Sequence, residues 1–124
     1  MAIHHGVLTL LTLTVAATIQ SGQALECYAC IPGTRCFYSY EVSRVRCTGA
    51  QDTCFSFRGD VLSSGVIYRD LITRSCGMTS VFYQYDPPIY PNRCSNVSMA
   101  MDPYTKEIYS GRFCLCNGSY CNYP

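Results

Sequence analysis

The 124-residue chain has no tryptophan and only two histidines, His4 and His5. Beyond residue 5, therefore, neither a Ser–His nor a Cys–His nucleophile can be assembled. The eight carboxylates form no obvious acid/base pair, and a domain this small has little room for a substrate cleft. An enzyme is not expected. Charge is sparse too, at 14% of residues, with nine Lys plus Arg interspersed among eight Asp plus Glu and no basic run. That distribution excludes the footprint of a nucleic-acid binder and offers no pull towards an anionic membrane. Only twenty Leu, Ile, Val and Phe lie beyond residue 24, a thin core for the length. No useful window repeats with a helical period. The apolar run Val7–Ala17 is too short to span a bilayer.

What the chain does have is cysteine, ten of them, all beyond residue 26. Residues 1–24 read as a signal peptide: an apolar run, the polar stretch Gln20–Gln23, and small residues at Gly22 and Ala24 that suit cleavage after Ala24. The positive n-region is poor, and the alternative is an uncleaved anchor or core helix. Secretion delivers the thiols of residues 25–124 to an oxidising compartment, where an even count implies five disulfides in one small extracellular domain. Zinc is the rival for Cys27-x-x-Cys30, but no second Cys-x-x-Cys exists and both histidines leave with the signal. No metal and no cofactor is expected.

Along residues 25–124 the pattern is all-β. Leu25–Cys30 is a short strand, and Pro32-Gly33 turns the chain. Cys36–Tyr40 and Ser43–Cys47 alternate, the second bringing Val45 and Cys47 to one face. Thr53–Arg58 and Val66–Arg74 are the best strands, read as a long hairpin around Gly59 and Ser63–Gly65. Residues 77–93 differ in kind. Three prolines keep Asp86–Pro91 out of any central strand, so this segment reads as a long, semi-rigid loop carrying exposed tyrosines. Asp102-Pro103 is the turn of a last excursion, and Lys106–Ser110 returns into Cys114, Cys116 and Cys121. Ten cysteines allow about 945 pairings, and spacing does not choose among them.

The opening Leu25-x-Cys27-Tyr28-x-Cys30 and the closing Cys116-x4-Cys121-Asn122 resemble the lymphocyte-antigen-6/urokinase-receptor family, the three-finger proteins related to snake neurotoxins. The resemblance covers residues 25–124 and implies the bridges Cys27–Cys54, Cys30–Cys36, Cys47–Cys76, Cys94–Cys114 and Cys116–Cys121. It implies three hairpin loops leaving a cross-linked palm: finger I over about 31–46, finger II over about 55–75, finger III over about 95–113. Asn122 would be the family's terminal asparagine, its amide bridging backbone groups of neighbouring strands. Two departures stand out. Cys114-Leu115-Cys116 replaces adjacent cysteines, so that both sulfurs point the same way unless a bulge at Leu115 restores the geometry. The interval from Cys76 to Cys94 is also long. With no hydrophobic tail, a lipid anchor is not expected, and the product should be secreted, soluble and monomeric.

Family resemblance implies that the fingers bind an extracellular or cell-surface protein receptor, a ligand-gated channel of the nicotinic acetylcholine type being favoured. The alternatives are a soluble ligand trap resembling activin-type receptor ectodomains, and an adhesion ligand acting through Arg58-Gly59-Asp60. The last needs an exposed, narrow loop, and a three-residue string recurs by chance. A second contact patch is offered by Tyr83, Tyr85 and Tyr90 with Phe82 and Ile89, since aromatics anchor interfaces; the same residues could instead cover a thin core. Asn96-Val97-Ser98 and Asn117-Gly118-Ser119 are glycosylation sequons, the second equally readable as a turn.

Overall fold

Strand-forming runs of aromatic and β-branched residues meet turn residues at short intervals, and the chain folds accordingly as two antiparallel sheets stapled by sulfur. A computed structural model describes residues 24–31 and 33–123. Residues 1–23 of the expected signal peptide, and Pro32 of the first turn, lie outside the described residues. Strand β1 (Glu26–Cys30) pairs with β2 (Val42–Arg46) as a two-stranded sheet. The larger sheet comprises β3 (Thr53–Ser63), β4 (Val66–Gly77), β5 (Arg93–Met101) and β6 (Ile108–Cys116), in the order β4-β3-β6-β5. A 3-10 turn (Ser39–Glu41) precedes β2, and one helical turn, α1 (Thr79–Tyr83), follows β4.

Five disulfides join Cys27 to Cys54, Cys30 to Cys36, Cys47 to Cys76, Cys94 to Cys114 and Cys116 to Cys121, the pairing that the family resemblance implies. The first and third tie the small sheet to β3 and β4. Their four sulfurs are buried together, with Leu25 and Val45 packed against them. On the chain-entropy view, closing the Cys27–Cys54 loop (sequence separation 27) contributes about 3.5 kcal/mol.

No bulge forms at Leu115. Phe55 faces Leu115 in unbroken register, with Ser56 opposite Cys114 and Cys54 opposite Cys116. Leu115 points into the core while its two cysteine neighbours share the other face. The bridges stay apart because one runs sideways and one forward. Cys94 stands directly across β5 from Cys114, whereas Cys121 returns in the terminal turn. Bulges occur elsewhere, at Gly59/Val61 against β4 and at Val97/Ala100 against β6.

The core is less thin than the count of Leu, Ile, Val and Phe implies, because tyrosine adds to it: Tyr85 is buried and Tyr109 packs against the cluster. Phe57 on β3 and Phe113 on β6 are fully buried with ring centroids 4.6 Å apart. Over them lie residues 78–91, within the segment expected as a semi-rigid loop carrying exposed tyrosines; part of its aromatic set covers the core, the alternative reading of that patch. Phe82 from α1, and Tyr85 and Ile89 from the turn and irregular segment after it, pack onto the sheet, all three buried. Phe82 meets Phe55 and Phe113 edge-on at 5.2 and 5.7 Å, contacts worth about 0.5–1.5 kcal/mol each beyond burial. The expected strand over Cys36–Tyr40 is also absent. Cys36 is held back to Cys30 with φ +63°, and the Glu41 carboxylate accepts the N–H groups of Phe37 and Tyr38 at 2.7 and 3.0 Å. That closes a tight turn before a strand can run.

Tyr85 is anchored as well as buried. Its hydroxyl donates to the Asp102 carboxylate at 3.0 Å, and Asp102 also receives the Tyr104 N–H at 2.8 Å. Burial, with Tyr109 and Asp102 nearby, pushes the Tyr85 phenol well above the usual tyrosine value. The unfolded chain releases this proton near pH 10, while the folded chain keeps it. The contribution is thus fully present below about pH 10 and is lost as pH rises beyond it. Alkaline titration followed by phenolate absorbance and circular dichroism should show cooperative unfolding above that point. Tyr85→Phe should be less stable at neutral pH but lose less on going alkaline; an unchanged profile would refute this.

Candidate functional site

Ser64 and Gly65 turn β3 into β4 with φ +51° and +79°, the two-residue geometry that preserves strand twist. Immediately beyond it stand Val66, Ile67 and Tyr68, 51%, 53% and 51% exposed. Three successive apolar residues on strand geometry cannot all face inward, and such an exposed run is a fault unless it is used. Behind the tip the sheet carries Leu62, Ile67, Met99 and Ile108 around a shallow groove of about 200 Å³, rimmed by Asp60 and Arg69. Met99, at 67% exposure, extends the apolar surface onto β5. Neither Val66 nor its neighbours were singled out as binding residues from sequence. The signal lay in an apolar triplet placed directly after a Ser-Gly turn.

Arg58, Gly59 and Asp60 do not form an exposed, narrow loop. They lie mid-strand in β3, which is hydrogen-bonded on both sides. Each has work there. Asp60 accepts the Asp70 N–H at 3.0 Å and the Arg69 guanidinium at 3.3 Å, and Arg58 donates Nε–H to Asp70 at 3.3 Å. These contacts brace the bulge in which Asp70 takes φ +50°. Being solvated, the ion pairs contribute little each. Gly59 meets Gly111 directly across β6.

The aromatic patch divides. Tyr85, Phe82 and Ile89 belong to the core, so Tyr85 is corrected from a contact residue to a buried one. Tyr83 and Tyr90 stay exposed and touch edge-on at 5.8 Å, with the Arg93 guanidinium 5.5 Å from the Tyr90 ring. On the small sheet's loop, Tyr38 and Tyr40 stack in parallel at 5.4 Å. Asn96, on the edge strand β5, and Asn117, inside the loop closed by Cys116–Cys121, both face solvent. Asn122 is buried. Its Oδ1 accepts the Tyr28 N–H at 2.9 Å, and its Nδ2 donates to the carbonyls of Tyr28 and Phe55 at 2.8 and 2.9 Å.

The sulfurs of Cys27, Cys47 and Cys76 lie within 4.8 Å of one another. All three are spent in disulfides and so form no thiolate ligand set. No family model, no curated protein and no solved structure matches the chain.

Proposed function

We propose that the chain is a secreted three-finger interaction module that binds an extracellular or cell-surface receptor through the tip of the β3–β4 hairpin. One observation carries the reading: a hairpin anchored at its base by disulfides holds Val66, Ile67 and Tyr68 out in solvent. Three antiparallel pairs, β1–β2, β3–β4 and β5–β6, and the terminal cysteine motifs support the finger assignment. The many disulfides suit an oxidising, extracellular setting. Fixing the loops beforehand lowers the ordering cost of binding. Ion-channel receptors of the nicotinic type are the favoured class by resemblance alone.

The test records currents from such a channel in cells exposed to purified protein, beside variants Ile67→Asp and Tyr68→Ala. Wild type should alter the current. Each variant should need at least about tenfold more protein, the scale of a hot-spot residue. Because these positions are exposed, stability should move by no more than about 0.5 kcal/mol. Wild-type activity that survives both substitutions rejects the tip as the contact, and an unaltered current rejects the channel class.

A further inference from the structure

The sheet face opposite the aromatic lid gathers positive charge around an apolar hollow. In the register, Arg58 on β3 stands directly opposite Arg112 on β6, with Ile72 on its other side, and Arg74 lies in the next row opposite Ser56. Like charges directly across a strand pair repel. A single carboxylate, Asp70, answers them, and it reaches only Arg58. Asn96, across from Arg112, is neutral. Among the described residues Arg112 has no ion-pair partner.

Arg74 is the most telling. It is only 6% exposed, and one terminal nitrogen is committed to the Cys36 carbonyl and sulfur at 3.0 and 3.1 Å. Its Nε is buried without any hydrogen-bond partner. Burial depresses its pKa from the usual arginine value, the Tyr123 phenol working weakly the other way. A desolvated guanidinium with an unused donor is costly. Arg58, Arg74 and Arg112 line one groove of about 320 Å³ together with Phe37 and Ile72, a volume at the lower end of small-molecule sites.

We infer that this groove is a binding site for a small organic carboxylate with an apolar body, the carboxylate meeting Arg112, Arg58 and Arg74 and the body lying against Phe37 and Ile72. Guanidinium groups match a carboxylate's paired oxygens. The aromatic and aliphatic walls favour a hydrocarbon body over a sugar or a bare inorganic ion. This site is separate from the hairpin tip and does not depend on the receptor reading.

The experiment titrates isotope-labelled, disulfide-intact protein with 3-phenylpropanoate, its uncharged amide and inorganic phosphate, followed by NMR of the arginine Nε–H groups and the Phe37 ring. The carboxylate should shift the Arg74 and Arg112 Nε–H signals and the Phe37 ring saturably, and bind at least about tenfold more tightly than the amide, as a charge-assisted hydrogen bond requires. Arg112→Gln and Arg58→Gln, both at exposed positions, should each weaken it about tenfold while leaving the fold's spectrum intact. Equal binding of the amide overturns the role of the arginines. Phosphate binding as tightly as the carboxylate overturns the apolar body, and no saturable shift overturns the site.

Discussion

Gly111→Ala is expected to lower the melting temperature by about 20 °C, and Gly111→Val to yield no folded protein. Gly111 on β6 and Gly59 on β3 face each other, at φ +159° and +157°. A methyl on Gly111 would come 2.2 Å from the Arg58 carbonyl oxygen and 2.7 Å from the Gly59 Cα. From the other side, a methyl on Gly59 would come 2.2 Å from the Ser110 oxygen. The obstacles are backbone atoms of the two inner strands, so nothing flexible can swing away. Relief requires separating β3 from β6 where Phe57 and Phe113 pack. Overpacking of this kind costs about 1–3 kcal/mol, and holding an L-residue in this glycine-favouring extended region adds about 1–3 kcal/mol. At about 4 kcal/mol in sum, and about 4–8 °C per kcal/mol for a domain of this size, the loss is a large part of a normal stability. Thermal unfolding by circular dichroism decides it, with Gly65→Ala as comparison. Gly65 has a positive φ but open space around its Cβ, so it should lose far less. Equal losses would place the effect in φ strain and not in strand approach.

Much of this architecture was legible in the residues, and the failures are instructive. Val45 beside Cys47, the β3–β4 hairpin and the Asp102-Pro103 turn follow from alternation and turn chemistry, signals that need only neighbours in sequence. For residues 77–93 the sequence offered both a contact patch and a core cover, and prolines and tyrosines weighed one by one did not choose between them. Phe82 sits in a helix of only five residues, and Tyr85 and Ile89 lie beyond its end, so no period marks the three, and their burial becomes visible only once a sheet lies beneath them. The expected end of the first hairpin strand at Arg58 failed in the opposite sense, since β3 runs on to Ser63. A glycine was read as a strand break, whereas here it lets two strands approach, a cause that resides in Gly111 more than fifty positions away. The three arginines of the groove come from three strands, and no local pattern could align them.

Asn122→Asp should destabilise the domain by about 4 kcal/mol, although it changes one nitrogen for oxygen. Asn122 works as a surrogate strand. One acceptor takes the Tyr28 N–H, and one amide serves the carbonyls of both Tyr28 and Phe55. Tyr28 belongs to the small sheet and Phe55 to the large one, so a single side chain joins the two through their backbones. The substitution keeps the acceptor but turns a carboxylate oxygen on two carbonyl oxygens in a site 5% exposed. Two hydrogen bonds are lost, each costing about 1–3 kcal/mol, and a desolvated carboxylate is set against the two carbonyl oxygens. Asn122→Leu removes all three bonds without introducing charge and should cost less than or as much as the aspartate. Hydrogen exchange adds a positional readout. In the leucine variant the Tyr28 amide should exchange at rates near those of global opening, whereas in the aspartate variant it should keep relative protection, because its acceptor remains. If aspartate proves as stable as asparagine, Asn122 does not act as a donor across the sheets, and the tie between them rests on Cys27–Cys54, Cys47–Cys76, the packing around their sulfurs and the Arg74–Cys36 contact.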